Sequence, residues 1–240
     1  MRIFQKGFNY SQDGPGNRLV YHLQGCNLRC PWCANPEGLA LSGGTEYSVD
    51  QLVSEVLSSQ MLFFDGGGVT LTGGEVTMQL DQVKAFLSRI HGLGIHTCIE
   101  TNGVSSRLEE LFPWLDYLIM DIKHYDSAIH QSVTGCTNQL TLKNIQAAIS
   151  RGKELALRIP LIGGFNATSE DARGFCRLFD SLGISETITL ELLPYHEYGK
   201  DKYKTLGMDY RMTREAFVTK ERFAEISGIF RSHGIKLIKT

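Results

Sequence analysis

The amino-acid sequence predicts an α/β fold, specifically a partial (β/α)6 TIM-like barrel formed by a single domain over residues 1–240. Hydrophobic periodicity switches repeatedly between strand-like and helix-like segments, which is typical of parallel strands joined by right-handed crossovers. A full eightfold barrel usually needs about 250 residues or more, so a six-repeat barrel suits this length better. No Pro/Ser-rich linker or internal repeat divides the chain. A doubly wound sheet is the structural alternative.

Each predicted element rests on its own pattern of apolar residues. Six or seven strands are expected, in segments 19–24, 69–72, 95–100, 117–123, 155–159, 188–192 and 236–238. Helices are expected where apolar residues recur at helical spacing, in segments 49–57, 80–90, 142–150, 168–182 and 223–230, with a short helix near 105–112. Capping boxes at Ser48 and Thr168 mark the starts of two of these helices.

Composition and charge exclude several classes of protein. With 42% hydrophobic and 21% charged residues the chain has ordinary globular composition. Its net charge of −2, with both signs interspersed, gives no basic stripe for nucleic acid. The apolar runs are far shorter than the roughly 20 residues that span a bilayer, and the first residues lack a signal peptide's apolar core. We therefore expect a cytoplasmic protein without a nucleic-acid or membrane partner.

The unusual polar residues come where predicted strands end. They are Cys26 to Cys33 after the first strand, Gly73, Gly74 and Glu75 after the second, Glu100 to Gly103 after the third, Asp121 and Lys123 at the fourth, Arg158 at the fifth and His196 at the sixth. Because the carboxyl ends of parallel strands meet on one face, we expect these residues to share a pocket.

Three of the six cysteines are clustered. Cys26, Cys30 and Cys33, spaced C-x3-C-x2-C, put three thiols on one loop, whereas Cys98, Cys136 and Cys176 are scattered and fit small buried hydrophobes. Structural zinc usually takes four ligands in two separated pairs, and no second pair follows. A 4Fe-4S cluster held by three cysteines leaves one iron open to a ligand. A zinc site and three incidental cysteines are the alternatives.

The cysteine spacing, with Trp32 before the last cysteine, resembles the signature of radical S-adenosylmethionine (SAM) enzymes. Further motifs resemble the activating enzymes of glycyl radical enzymes, above all the branch that acts on pyruvate formate-lyase. They are Asp13-Gly-Pro-Gly16-Asn-Arg18, Asn35-Pro36, Gly66 to Glu75, Glu100-Thr-Asn-Gly103, Asp121-Ile-Lys123 and Glu191 to Lys200, in matching order and spacing. The resemblance runs nearly end to end.

This resemblance implies a reaction and its participants. Such enzymes use one reduced 4Fe-4S cluster to cleave SAM, and the resulting 5′-deoxyadenosyl radical removes a hydrogen from a glycine of a partner glycyl radical enzyme. A flavodoxin or ferredoxin is the expected electron donor, and a monomer the expected state. The 39 residues between Cys33 and Gly73 contain no cysteine, so no inserted ferredoxin-like domain with further clusters is expected.

The resemblance also assigns roles to residues. Cys26, Cys30 and Cys33 match the cluster ligands, and Asp121 a contact to the cofactor or a monovalent cation. The remaining positions match contacts to SAM: Trp32, Asn35, Gly73, Gly74, Glu75, Glu100, Lys123, Arg158 and His196. The segment 13–18 is expected beside the site, where the partner's glycyl loop enters.

Three departures from the family's pattern keep other functions open. Glu100 replaces an Asp, Asn17 an aliphatic residue, and Val76 a common Ala or Pro. They motivate the alternative that the same chemistry acts on a small molecule or peptide. A metal-bearing binding module without catalysis is the alternative from another class.

Overall fold

The computed structural model describes residues 1–184 and 188–239, which form a nine-stranded sheet flanked by helices. The strands are β1 (Arg2–Tyr10), β2 (Asn17–Leu23), β3 (Thr45–Glu46), β4 (Gly68–Gly73), β5 (His96–Thr101), β6 (Tyr117–Asp121), β7 (Glu154–Leu161), β8 (Thr189–Pro194) and β9 (Lys236–Ile238). The helices are α1 (Val49–Ser58), α2 (Leu80–Gly92), α3 (Ser127–Thr134), α4 (Gln139–Ser150), α5 (Ser169–Leu182), α6 (Lys200–Thr205) and α7 (Lys220–Ser232).

The strand order explains the barrel-like shape. Across the sheet the order is β3-β1-β2-β4-β5-β6-β7-β8-β9, and β2 and β4 to β9 are all parallel. Every parallel crossover steps in the same direction, so right-handed connections place the helices on one outer face. A doubly wound sheet would reverse its order partway, and this one does not. The partial barrel is therefore confirmed, and the sheet formed by the described residues is not closed.

Alternation along the strands separates an apolar outer face from a polar inner one. In β4, Val69 and Leu71 belong to the large apolar core under the helices, whereas Thr70 and Thr72 make hydrogen bonds to inner-face residues. The inner face is unusually polar, with Arg18, Arg158 and Glu191 buried there as well. Because buried charges need partners, this face is organised around ion pairs and hydrogen bonds.

Two helices begin at the capping boxes that the sequence predicts. The Ser48 hydroxyl accepts the Gln51 N–H at 3.1 Å while the Gln51 side chain accepts the Ser48 N–H at 2.8 Å. Thr168 and Asp171 make the same reciprocal pair at the start of α5. Both predicted capping boxes are confirmed.

Other elements differ from the sequence prediction. β1 was not predicted, because most of its side chains are exposed and give no alternating pattern. The expected helix near 105–112 is instead two short 3-10 turns, Leu108–Glu110 and Phe112–Trp114, the second containing a proline. β7 runs to Leu161, so Arg158 lies inside the strand rather than at its end. The fourth predicted strand ends at Asp121, two residues earlier than expected.

The scattered cysteines behave as predicted. Cys98 and Cys176 are buried, Cys136 is half-buried, and all six cysteines are free thiols. None of the helices in the described part of the chain is both long and apolar enough to cross a membrane.

Candidate active site

A cavity of about 230 Å³ opens at the carboxyl ends of the parallel strands. Most of the predicted site residues line it: Cys26, Cys30, Trp32, Cys33, Asn35, Gly73, Gly74, Glu100, Asp121, Lys123 and His196. Glu75 and Arg158 are not in its wall and lie behind it. The structure thus brings together most of the residues that the sequence places at the carboxyl ends of the parallel strands.

The cysteine loop is held by hydrogen bonds from its own backbone and side chains. It begins at Gly25, whose φ of +98° favours glycine. The Arg29 guanidinium donates to the carbonyl oxygens of Cys26 and Leu28, both at 2.7 Å, and the Arg29 N–H donates to the Thr134 carbonyl at 2.8 Å. These contacts fix the loop against the end of α3.

The three thiols suit an iron–sulfur cluster. Burial raises the pKa of Cys26 to about 11 and that of Cys30 to about 12, and it also raises the pKa of Cys33. The Leu28 N–H donates to the Cys26 Sγ at 3.4 Å, and the nearby Lys123 ammonium opposes the rise at all three thiols. Because metal ligands must be deprotonated, a cluster that binds these three cysteines has to displace their protons.

Packing requires the two glycines at the end of β4, Gly73 within the strand and Gly74 directly after it. Gly73 has a φ of +112°, and a Cβ on Gly74 would lie 2.1 Å from the Gly25 carbonyl oxygen. The Gly74 N–H donates to the Leu23 carbonyl at 2.8 Å. The absent side chains let the end of β4 press against the cysteine loop while its backbone faces the cavity.

Glu75 connects two loops from behind the cavity. Its Oε1 accepts hydrogen bonds from the Thr77 N–H at 3.0 Å and the Thr101 hydroxyl at 2.7 Å, and its Oε2 accepts the Asn102 N–H at 2.8 Å. Burial raises the pKa of this carboxyl, and those donors oppose the rise. The carboxylate therefore sets the position of the turn that follows β5.

Charged residues form one end of the cavity. The Lys123 ammonium donates to Asp121 Oδ2 at 2.6 Å. Burial lowers the pKa of Lys123, but Asp121 and the Cys30 thiol more than offset it, so the net pKa is raised. Glu100 Oε2 accepts the Thr72 hydroxyl at 2.7 Å. Burial raises the pKa of Glu100 to about 7, although its neighbour Arg158 opposes the rise.

Arg158 lies beneath this charged end. Its guanidinium forms ion pairs with Glu100 and with Glu191, the latter at 2.7 Å, and also donates to the Gln12 carbonyl. Burial lowers the pKa of Arg158, and the two carboxylates raise it further than burial lowers it. Arg158 is therefore already paired within the protein.

The segment 13–18 leads into β2, at the amino ends of the parallel strands, because Arg18 lies opposite Gly68, the first residue of β4. The Thr70 hydroxyl donates to the Asp13 carbonyl at 2.7 Å, and Arg18 donates to Thr70 Oγ1 at 2.6 Å and to the Pro15 carbonyl at 3.0 Å. These bonds fold the β1–β2 turn against the inner face of the sheet. The turn supports the charged residues and does not line the cavity.

Another part of the wall comes from the ends of β7 and β8. It contains the apolar residues Ile162 and Leu193, together with His196. The His196 ring stacks on Tyr198 with ring centres 4.0 Å apart, and its Nδ1 accepts the Tyr198 N–H at 3.3 Å. The wall of the cavity therefore combines charged side chains with apolar ones.

Three further residues of the wall had no individual role in the sequence prediction, although Thr101 and Asn102 belong to the segment 100–103 that was expected at the pocket. Thr72 positions Glu100, Thr101 is held by Glu75, and Asn102 lies with its Nδ2 2.8 Å from Asn27 Oδ1 and 4.0 Å from the Cys26 sulfur. The signal available for Thr72 was the alternation in β4, where Thr70 and Thr72 mark the strand face that turns away from the apolar core. Thr101 lies on the same face of β5 as the core residue Ile99, and Asn102 follows that strand.

Comparison with known proteins agrees with this geometry. Residues 20–176 match the Radical SAM superfamily. The chain is 32% identical over 231 residues to the pyruvate formate-lyase 1-activating enzyme of Escherichia coli K12, covering 94% of this chain and 93% of that protein. It is 33% identical over 213 residues to the pyruvate formate-lyase-activating enzyme of Clostridium pasteurianum, covering 88% of both.

Solved structures place the fold in the same group. A domain of the pyruvate formate-lyase-activating enzyme from Bacteroides vulgatus superposes with a TM-score of 0.57 at 27% identity, covering 72% of this chain and 98% of that one. Streptococcus suis SuiB bound to its precursor peptide gives 0.68 at 13% identity, over 91% of this chain and 47% of SuiB, which supports the fold alone. The chain belongs to the radical SAM superfamily and, within it, to the family of pyruvate formate-lyase-activating enzymes.

Proposed function

We propose that this enzyme activates a glycyl radical enzyme, pyruvate formate-lyase or a relative, by removing a hydrogen atom from its glycine. The observation that carries this proposal is the cavity at the strand ends, whose wall holds three thiols together with charged and apolar side chains. Cys26, Cys30 and Cys33 would hold a 4Fe-4S cluster, which, when bound, would supply the electron for reductive cleavage of SAM. The protein's contribution is to position SAM beside that cluster and to exclude water.

Each wall of the cavity has a role in this proposal. Cys26, Cys30 and Cys33 hold the cluster. Gly73, Gly74, Glu100 and Lys123 bind the amino-acid end of SAM, and Trp32, Asn35 and His196 border its nucleoside end. Asp121 holds Lys123 or a monovalent cation. Glu75 and Arg158 act as positioning residues, because their polar atoms are engaged within the protein.

The direct test is formation of the glycyl radical. Anaerobically reconstituted, dithionite-reduced enzyme is mixed with SAM and pyruvate formate-lyase, and the glycyl radical is measured by electron paramagnetic resonance. We expect one radical signal that requires SAM and is lost in the Cys30→Ala variant and when the partner's glycine is replaced by alanine. 5′-Deoxyadenosine formed without a radical on any glycyl radical enzyme would point to the small-molecule or peptide alternative.

We also infer the number of clusters, the oligomeric state and the electron donor of the enzyme. We propose one cluster on a single radical SAM domain, since no cysteine lies between Cys33 and Gly73. A cytoplasmic monomer leaves the cavity accessible to a large protein substrate. A flavodoxin or ferredoxin supplies the electron.

A further inference from the structure

Lys202 connects helix α6 to the wall of the active-site cavity. Its ammonium donates to Asn35 Oδ1 at 3.0 Å and pairs with Glu37 Oε1 at 2.7 Å. Asn35 lines the cavity, whereas Lys202 lies outside it. A side chain from a distant part of the sequence therefore holds one residue of the cavity wall from behind.

The start of α6 lies directly against the cysteine loop, which sets the position of Lys202. A Cβ on Gly199 would lie 2.6 Å from the Cys33 carbonyl oxygen and 3.1 Å from the Ala34 Cα. Tyr203, the residue after Lys202, is buried. Because only glycine permits this close approach of the two backbones, α6 and the segment that follows Cys33 pack as one unit.

The side chain of Asn35 does not have the local role that is usual at its position. Asn35 precedes the 3-10 turn Pro36–Gly38, where an asparagine oxygen commonly accepts a backbone N–H of the turn. It makes no such bond here, and Oδ1 accepts the Lys202 ammonium instead. A lysine ammonium only donates, so it binds only the oxygen of the amide. The Nδ2 group is thus the part of Asn35 left for a ligand.

We propose that Lys202 is a positioning residue that makes Asn35 a hydrogen-bond donor to a ring nitrogen of the adenine base of SAM. This inference rests on the proposed function, in which Asn35 borders the nucleoside end of SAM. Within the described part of the chain, no protein acceptor is hydrogen-bonded to Asn35 Nδ2. The ring nitrogens of adenine are acceptors that need such a donor.

A fixed amide orientation matters most for a partner of this kind. The ribose hydroxyls both donate and accept, so they suit either orientation of the amide, whereas a ring nitrogen only accepts. The cation on Oδ1 also polarises the amide, which strengthens its N–H as a donor. Lys202 therefore favours recognition of the base without touching it.

The test measures SAM binding before any chemistry takes place. Cluster-loaded, unreduced enzyme is titrated anaerobically with SAM and with its 1-deaza, 3-deaza and 7-deaza adenine analogues, for wild type, Lys202→Met and Asn35→Ala. The Lys202 side chain is 36% exposed and methionine keeps most of its aliphatic stem, so this variant should fold. The matched control is Lys200→Met, which removes the same charge from α6 and breaks the ion pair with Glu197.

We expect wild type to bind one of the three analogues about tenfold more weakly than SAM, because the Asn35 N–H loses its acceptor. This preference should disappear in Lys202→Met and Asn35→Ala and persist in Lys200→Met. Equal binding of SAM and all three analogues by wild type would overturn the inference. So would a Lys202→Met variant that binds SAM and the analogues more weakly by one common factor, since that result indicates a purely structural role.

The same proteins separate this inference from the proposed function. After dithionite reduction, each is mixed with SAM and pyruvate formate-lyase, and the glycyl radical is measured. A wild-type enzyme that shows the analogue preference but forms no glycyl radical on any glycyl radical enzyme would overturn the proposed function and leave the role of Lys202 intact.

Discussion

At the scale of single residues, the environment of the cysteine loop sets how its sulfurs behave. The Cys26 sulfur receives a backbone N–H from Leu28 and lies near the Asn102 amide. Hydrogen bonds to the sulfurs are one of the main determinants of an iron–sulfur cluster's reduction potential. We therefore expect Asn102 to affect the reduction potential of the cluster without acting as one of its ligands.

We predict that Asn102→Ala lowers the reduction potential of the cluster, because a donor that stabilises the more negative reduced state is removed. Potentiometric titration monitored by electron paramagnetic resonance measures this. Asn144→Ala is the control, since the Asn144 amide supports the same turn through the Gly103 and Ser105 carbonyls and touches no sulfur. An equal shift in both variants would mean that the turn's position, not the amide, controls the potential.

Arg158 is the residue whose loss should cost the most stability. Arg158→Met leaves Glu100 and Glu191 buried without their shared cation, and breaking such a pair costs about 3–5 kcal/mol. The free energy of unfolding, measured by chemical denaturation, should fall by that amount. Arg222→Met removes the exposed ion pair with Glu225 and should cost no more than about 1 kcal/mol. Similar losses in the two variants would contradict the buried network.

At the scale of elements, the β1–β2 hairpin determines the shape of the inner face. Its turn is tied to Thr70 and Arg158, so the sheet's two antiparallel strands support the charged end of the cavity. The sequence predicted all seven parallel strands, because their buried apolar residues are regular. It did not predict this hairpin's position, since β1 is largely exposed and its turn is fixed by contacts to residues distant in sequence.

The turn of this hairpin offers a test with a matched control. Gly16 has a φ of +67°, and a Cβ there would lie 2.4 Å from the Phe64 carbonyl oxygen. Gly66 has a φ of +78° with open space around it. Gly66→Ala should cost about 1–2 kcal/mol from backbone strain, and Gly16→Ala about 1–3 kcal/mol more from overpacking. Equal losses of unfolding free energy would show that the turn can move away from Phe64.

Helix α3 gives the fold a dependence on pH. His130 is buried, its Nδ1 lies 2.6 Å from the Cys136 carbonyl, and burial lowers its pKa. Below its ordinary pKa of about 6.5 the unfolded chain binds a proton that the native state does not, so stability falls as pH decreases.

The slope attributable to one such histidine is at most about 1.4 kcal/mol per pH unit. His130→Asn keeps an N–H donor near the Nδ1 position, so it should fold and lose this part of the slope. Denaturation between pH 7.5 and 5.5 measures the difference. A variant with the wild-type slope would assign the acid sensitivity to other groups.

At the scale of the whole molecule, the strand-end arrangement brings residues from five strands, β4 to β8, and from the cysteine loop into one cavity. That convergence was predictable from sequence, because parallel strands share a carboxyl edge. The pairing of Arg158 with Glu100 and Glu191 was not, since ion pairs across neighbouring strands depend on register. Arg158, for example, lies opposite Asp121 on one side and Glu191 on the other.

Because several strands form the cavity, it exists only in the folded protein, and its ligand binds only the native state. A ligand that binds only the native state, at 100 times its dissociation constant, raises the free energy of unfolding by about 2.7 kcal/mol. We predict this gain for SAM with cluster-loaded enzyme, and a much smaller gain at the same SAM concentration after the cluster is removed by chelation. In the proposed binding mode, SAM would then keep the Glu100 and Lys123 side chains as partners but would lose the cluster. Anaerobic thermal and chemical denaturation of both forms measures the difference. Equal stabilisation of the two forms would show that the cavity wall alone binds SAM and that the three thiols serve a separate purpose.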